Sequence, residues 1–397
     1  MSKADRSYDG ASFLKRGAPI ETGRTIAHDV IEANVAIVGA GPAGTAAAAR
    51  LGQLGVTGVV LLDKHPFPRD KTCGSGLSPK GIEVLRELGV WEAVQREAYP
   101  IRGLRLVSQK GREVMLSGGD RSNAAICLRR TLDHIILQRA LDAGVQFVPH
   151  FVATQLREAE GRVTGVVARD GREVRARITV IAGGSHCHLV PPRRPRKTIQ
   201  AIMGWWEGVP IHEHHVEMIF DPMLHPLYGW LFPEGGGRVN IGITYEDPRG
   251  ERNARELLAR FLDKHYAQRL IHARRIGDLK GHPIVYSYRI EGLTSPGRIV
   301  VGESGLLTHP ATAEGISQGM RSGLLAAEAA RDVLLHGANE ATAFGLYERG
   351  CRKAFRASFL GGRAFRWLMK TPILDALAYA GGKPLVRRTA ARVLAAL

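Results

Sequence analysis

The sequence predicts an α/β fold in which a parallel-sheet unit is joined to an antiparallel sheet, with helices at the C-terminal end. Three observations predict it. The β-branched run Val35–Val38 ends at Gly39 and is followed by a small-residue helical stretch, Pro42–Leu54, and a second apolar run, Val59–Leu62. Two short buried runs around one helix make a strand–helix–strand unit. Residues 199–245 are strand-rich and aromatic, as an antiparallel sheet is. Arg298–Val301 then reads as another buried strand, and Ala313–Leu335 as a long helix.

The remaining elements follow in order. Ile82–Leu88 is helical in pattern, and Leu104–Val107 and Glu113–Leu116 read as paired strands. Arg130–Ala143 is a helix with Leu132, Ile135, Ile136 and Leu137 toward the core. Val145–Val148, Arg162–Ala168 and Val174–Ile181 are strands, and Glu251–Tyr266 is a helix. Residues 1–29 are polar and aperiodic and are expected to form a mobile leader without the apolar core of a signal peptide. No tandem repeat is evident.

At 397 residues and 44% hydrophobic content the chain can bury a large core, in two intimate domains or one large fold with an inserted part. Its formal charge is +17, yet it has no zinc-finger, basic-zipper or aromatic-basic pattern. The expected partner is therefore not nucleic acid but an anionic small substrate or an anionic membrane surface. Cys73, Cys127, Cys187 and Cys351 form no Cys-x-x-Cys pair, which predicts no disulfide framework and a reducing cytoplasmic setting. No apolar run reaches the roughly 18 residues of a membrane span. Of His212, His214 and His215 only His212 and His214 can share a strand face, a third ligand at useful spacing is missing, and no metal site is expected. From Arg349 onward eleven residues are basic and only Asp375 is acidic, with Phe355, Phe359, Phe365, Trp367, Leu368 and Met369 interleaved. Such helices can lie at the inner face of a membrane or cap the substrate domain.

Gly39-Ala40-Gly41-Pro42-Ala43-Gly44 is a G-x-G-x-x-G loop between a strand and a helix. Its first glycine permits the turn, the second admits a pyrophosphate and the third lets helix and strand pack. The N–H groups and positive end of the helix then face phosphate. Asp63 ends the second strand, about 20 residues on, where a carboxylate can accept from ribose hydroxyls. This predicts a dinucleotide site, with FAD and NAD both open from the loop alone.

Four further segments resemble the geranylgeranyl reductase family of flavoproteins. Pro68-Arg69-Asp70-Lys71-Thr72-Cys73-Gly74 is similar to its Pro-x-x-Lys-x-Cys-Gly pattern, and Arg129-Arg130-Thr131-Leu132-Asp133 to its Arg-x-x-Phe-Asp helix start. Tyr228-Gly229-Trp230-Leu231-Phe232-Pro233 resembles Tyr-x-Trp-x-Phe-Pro. Gly302-Glu303-Ser304-Gly305, continuing through Pro310, Gly315-Ile316 and Ser322-Gly323, resembles the second flavin loop and its helix. The resemblance implies FAD as cofactor and a fold like p-hydroxybenzoate hydroxylase, a Rossmann-like FAD-binding domain interleaved with an antiparallel-sheet substrate domain, plus C-terminal helices. The expected division is 30–100, 125–190 and 275–335 for FAD, 101–124 and 191–274 for substrate, and 336–397 for the basic helical region. It also implies that Cys73, Gly74 and Gly76 line the flavin pocket, that Arg129 contacts the cofactor, and that Gly302 and Glu303 meet the ribityl chain. Glu303 is one methylene longer than the family's usual aspartate, and Gly183 stands where relatives often carry an acid.

The helix beginning near Gly315-Ile316 can aim its N–H groups at the charge of a reduced flavin. Tyr228, Trp230 and Phe232 alternate along a strand and so share one face, the expected wall of a substrate pocket. Cys73 and His309 are the candidates for a catalytic thiol or proton donor; burial makes the first a pocket lining and the second structural by default. The expected activity is reduction of C=C bonds in an isoprenoid or other hydrophobic substrate, with electrons from an external donor, NAD(P)H or a ferredoxin-like protein. The alternatives are a flavin monooxygenase or oxidase on an aromatic intermediate and a non-catalytic FAD module. A Trp-x-Trp-x-Ile-Pro element of flavin halogenases is missing.

Overall fold

The computed structural model describes residues 30–117, 124–191 and 196–369. The leader at 1–29 and the basic residues Lys370, Lys383, Arg387, Arg388 and Arg392 lie outside the described residues. The strand Val30–Val38 pairs in parallel with Glu173–Ile181 on one side and Val59–Leu62 on the other. Arg298–Val300 and Gln146–Val148 extend this parallel core outward, and the hairpin Ala153–Ala159/Arg162–Ala168 and the short edge strand Thr294–Ser295 add antiparallel strands to make eight. Both faces of the centre are covered, so its strands are apolar throughout, as buried parallel strands are: Val35, Ala36 and Ile37 have no solvent exposure. The helices Pro42–Gln53, Arg129–Asp142 and Ile316–Leu335 share a core with one face of this sheet.

The second sheet has seven strands in the order Arg274–Tyr286, Lys197–Glu207, Arg238–Tyr245, Gly229–Gly235, His215–Ile219, Gly103–Val107 and Glu113–Ser117. It is antiparallel except between His215–Ile219 and Gly103–Val107, which run parallel. The helix Ala254–Leu270 covers one face through Leu257, Leu258 and Phe261. The other face carries Phe220, Tyr228 and Trp230. Residues 275–286, assigned from sequence to the cofactor-binding part, belong instead to the long strand Arg274–Tyr286 of this second sheet. Its first half is largely exposed and charged, without the apolar alternation that marks a strand. The long helix begins at Ile316 rather than Ala313, because Ala313 takes a positive φ of 57° that ends the preceding turn. The last helix among the described residues, Glu340–Leu368, is capped by Asn339, whose side chain accepts from Thr342 N–H at 3.1 Å.

Candidate active site

The glycine loop sits at the end of the central strand. Gly39 has φ +103°, and a Cβ there would lie 2.4 Å from the Ala182 carbonyl oxygen. A Cβ on Gly44 would lie 1.8 Å from the Gly39 oxygen, so helix and strand could not meet. The helix starts at Pro42 with Gly41 as a cap that offers no side chain. The first N–H groups of a helix have no partner within it, so those of Ala43 and Gly44 are presented along the axis for an acceptor. Asp63, 7% exposed, accepts from Ala40 N–H at 2.8 Å through one oxygen and from His65 N–H at 2.9 Å through the other. Each oxygen keeps a second lone pair, and the loop and the acidic strand end are thereby locked together.

A charged network stands beside the loop. Arg129 grips Asp133 with two hydrogen bonds of 2.7 Å, and Asp133 is fully buried. Arg69 reaches the same carboxylate at 3.3 Å and the Asp63 carboxylate at 3.8 Å. Arg129 also lies 3.9 Å from the position of a Cβ on Gly41, on the rim of the loop, and against the Cys73 thiol. The Cys73 sulfur accepts from Ser75 N–H at 3.3 Å. Lys71 contacts His282 at 3.3 Å, and His282 lies 2.9 Å from the Ser185 hydroxyl. Burial first, and then Lys71, His186 and Arg129, lower the His282 pKa to about 4, so the ring is neutral at neutral pH. Burial of its end, then Arg129, lowers the pKa of Lys71, while Glu303 opposes the shift.

Glu303 is the acidic member of the second loop. It accepts from Val285 N–H at 3.0 Å, tying the cofactor loop to the last strand of the second sheet. Burial raises its pKa, against the pull of that N–H, Lys71 and Arg129. Gly302 has φ +58° and lies against Ala43; its N–H donates to the Ser322 hydroxyl at 2.9 Å. The helix at Ile316 starts from Gly315 without a side-chain cap, so a second uncapped helix start joins the first.

Tyr228, Trp230 and Phe232 fall on one face and form an aromatic wall, with ring centroids 6.4 and 6.0 Å apart. Trp230 donates from its indole to the Asn240 carbonyl oxygen at 2.7 Å, and the Tyr228 hydroxyl donates to the Thr312 carbonyl at 2.6 Å. The wall closes on the Cys73–Gly76 segment: a Cβ on Gly74 would stand 3.3 Å from the Phe232 ring and 3.5 Å from the Trp230 nitrogen. Phe365 and Met369 of the C-terminal helix region complete the cluster. His309 lies elsewhere. It has no solvent exposure, and its Nδ1 accepts from Thr312 N–H at 3.1 Å while Nε2 meets the Ser358 carbonyl at 3.2 Å. Burial lowers its pKa to about 4. With Nδ1 accepting, the ring hydrogen sits on Nε2 and is directed to the Ser358 carbonyl, so His309 ties the Pro310–Thr312 turn to the helix Glu340–Leu368. His214 is similarly engaged, bonded to the Pro100 carbonyl at 3.0 Å and stacked on Tyr99.

Three residues of the site were not singled out from sequence. Arg69 and Asp133 lay inside motifs quoted for other members, and burial of a carboxylate between two guanidiniums was their only mark. His282 gave no signal, standing alone in a charged strand.

The residues present fit FAD. Two uncapped helix starts, glycines that let strand and helix meet, a strand-end aspartate and a second loop whose Gly302 lies against Ala43 and whose Glu303 is a buried acid supply the donors and acceptors such a dinucleotide needs. Fold and site together define an FAD-dependent oxidoreductase. The profile of the FAD binding domain family matches residues 32–205. The chain is 31% identical over 318 residues to menaquinone reductase of Mycobacterium tuberculosis, covering 75% of this chain and 76% of that protein. It is 27% identical over 356 residues to digeranylgeranylglycerophospholipid reductase 2 of Methanopyrus kandleri, 86% of each chain. Among solved structures, a geranylgeranyl bacteriochlorophyll reductase-like protein from Thermoplasma acidophilum superposes with a TM-score of 0.79 at 21% identity, over 91% of this chain and 96% of that one. The flavin-dependent brominase Bmp2 superposes with a TM-score of 0.77, also at 21% identity, over 92% and 94%, which speaks for the shared fold alone. The chain belongs to the geranylgeranyl reductase family of FAD-dependent oxidoreductases.

Proposed function

We propose that this enzyme reduces carbon–carbon double bonds in the isoprenoid chain of a lipid or prenylated quinone, working at the inner face of a membrane. The observation that carries the reading is the wall of Tyr228, Trp230 and Phe232, closed by Phe365 and Met369 and standing directly on the Cys73–Gly76 segment. FAD, when held there and reduced by an external donor of the NAD(P)H or ferredoxin type, would supply hydride chemistry from N5. The chain's own part is to hold an apolar tail against that wall and to exclude water. The polar ends of Tyr228 and Trp230 are satisfied by Thr312 and Asn240, so the faces offered to the substrate are hydrocarbon in character. Cys73, whose sulfur accepts from Ser75, suits a soft lining of the pocket. Each double bond would gain a hydride at one carbon and, at the other, a proton from an acid or a water, a net two hydrogens. Relatives named for menaquinone and for digeranylgeranylglycerophospholipid act on large hydrophobic molecules, which agrees with the wall.

The test is anaerobic. The purified holoenzyme is reduced, then mixed with geranylgeranyl diphosphate or a prenylated quinone. Return of the oxidised flavin absorbance with a mass gain of hydrogen pairs is the expected result. Substrate-dependent oxygen uptake, with oxygen found in the product, would replace this reading with that of a monooxygenase.

A further inference from the structure

The helix Glu340–Leu368 has two unlike faces. Inward, Phe355 and Phe359 join the main core, while Phe365 and the following Met369 reach the aromatic wall. Arg366 is buried there, donating to the Pro310 carbonyl at 2.7 Å and pairing with Glu246. Outward, Arg349, Lys353, Arg356, Leu360, Arg363 and Trp367 are all exposed. Their spacing alternates four and three, which at about 100° per residue puts them within an arc of roughly 80° and along about 27 Å of helix. Trp367 is 65% exposed and Leu360 47%. No acidic residue follows Glu348 within the helix. Glu348 itself turns inward to Leu293 N–H at 2.7 Å and to Arg352.

A single exposed apolar residue is ordinary on any surface. A leucine and an indole in line with four cations are what an interfacial helix presents: charge for phosphate, a leucine for acyl chain and a tryptophan for the boundary between them. The formal charge of +17 complements an anionic sheet of headgroups. A duplex nucleic acid would use the cations but gains nothing from Leu360. We propose that this outward face docks the protein on an anionic lipid bilayer, with the helix lying in the plane of the interface. The inference rests on the reading of the pocket as a site for a membrane-dissolved isoprenoid. Only one helix thickness, roughly 10 Å, then separates lipid from the wall reached by Phe365 and Met369.

The experiment is sedimentation of the full-length holoenzyme with phosphatidylcholine vesicles, with and without a quarter of phosphatidylglycerol. The intact chain should sediment with the anionic vesicles and be released by high salt. Combined Arg349→Gln, Lys353→Gln and Arg356→Gln should weaken that partition about a hundredfold, at roughly fivefold for each cation lost. Brominated lipid should quench the wild-type fluorescence more than that of Trp367→Phe. Equal binding of the triple variant, with FAD content unchanged, would overturn the proposal. So would tighter binding to a short duplex DNA than to vesicles. Turnover of detergent-dispersed prenylated quinone separates the two readings: its absence in a wild-type protein that still binds vesicles removes the substrate assignment and leaves the docking face standing.

Discussion

Trp230 shows how one side chain can serve two ends. Its ring packs in the aromatic cluster with Tyr228 and Phe232, while its indole N–H satisfies the carbonyl oxygen of Asn240, which is fully buried. Trp230→Phe keeps the apolar surface but strips that acceptor of its donor. It should lower unfolding free energy by about 1–3 kcal/mol in urea titrations, and reduce turnover with little change in bound flavin. His309 gives a prediction in pH. Its folded pKa of about 4 lies below the ordinary value of 6.5, so between these limits the unfolded chain binds a proton that the native one refuses. Its contribution is complete above about pH 6.5 and is lost as the pH falls toward 4, by roughly 3 kcal/mol in all. Urea midpoints of His309→Asn measured at pH 7 and pH 4.5 should fall less steeply with acid than those of the wild type. An equal slope would mean that the imidazole is not the group responsible.

At the scale of elements, the phosphate loop is held by two neighbours that are easily overlooked. The helix Ile316–Leu335 packs so closely on Pro42–Gln53 that a Cβ at Gly323 would lie 2.3 Å from the Ala43 carbonyl oxygen. Gly323→Ala must push the loop-bearing helix aside, at about 1–3 kcal/mol for overpacking. Flavin absorbance per protein should drop along with the melting temperature. The helix Arg129–Asp142 begins with its bidentate pair, and Asp133→Ala leaves Arg69 and Arg129 facing each other without their shared anion. Breaking a buried pair in this way costs about 3–5 kcal/mol, to be read from thermal unfolding. These elements also show what was legible in the sequence. Val35–Val38, the glycine loop and Asp63 were readable because backbone geometry and burial admit few other residues there. The alternation of Tyr228, Trp230 and Phe232 told which face they share. Arg274–Tyr286 was not readable as a strand of the second sheet, since exposure on its first half removes the period. Nor could spacing reveal that His309 spends both nitrogens on the backbone, because that depends on Thr312 and on Ser358 in a helix far along the chain.

At the scale of the whole molecule, the two sheets meet through a few specific ties. Val285 donates to Glu303, Tyr228 to Thr312, and Lys71 touches His282. If FAD occupies the proposed site between the two glycine loops, it touches this seam and should brace both halves. Stripping FAD and restoring it at a hundred times its dissociation constant should raise stability by about 2.7 kcal/mol, if the unfolded chain does not bind it. A scanning calorimetry trace should show one transition moving upward. Two transitions, only one of them sensitive to FAD, would mean that the halves unfold separately and that the seam contributes little.

The parallel pairing of Gly103–Val107 with His215–Ile219 has a further consequence for biogenesis. An early segment must wait for more than a hundred residues of later chain before it finds its neighbour, and Arg298–Val300 must arrive later still to flank Glu173–Ile181. Closing such long loops is slow. A nascent chain released near residue 190 would expose Gly103–Ser117 as an unsatisfied edge, inviting self-association. The two halves are thus not separable cassettes, and attempts to express or exchange either alone should yield aggregates rather than a smaller working flavoprotein.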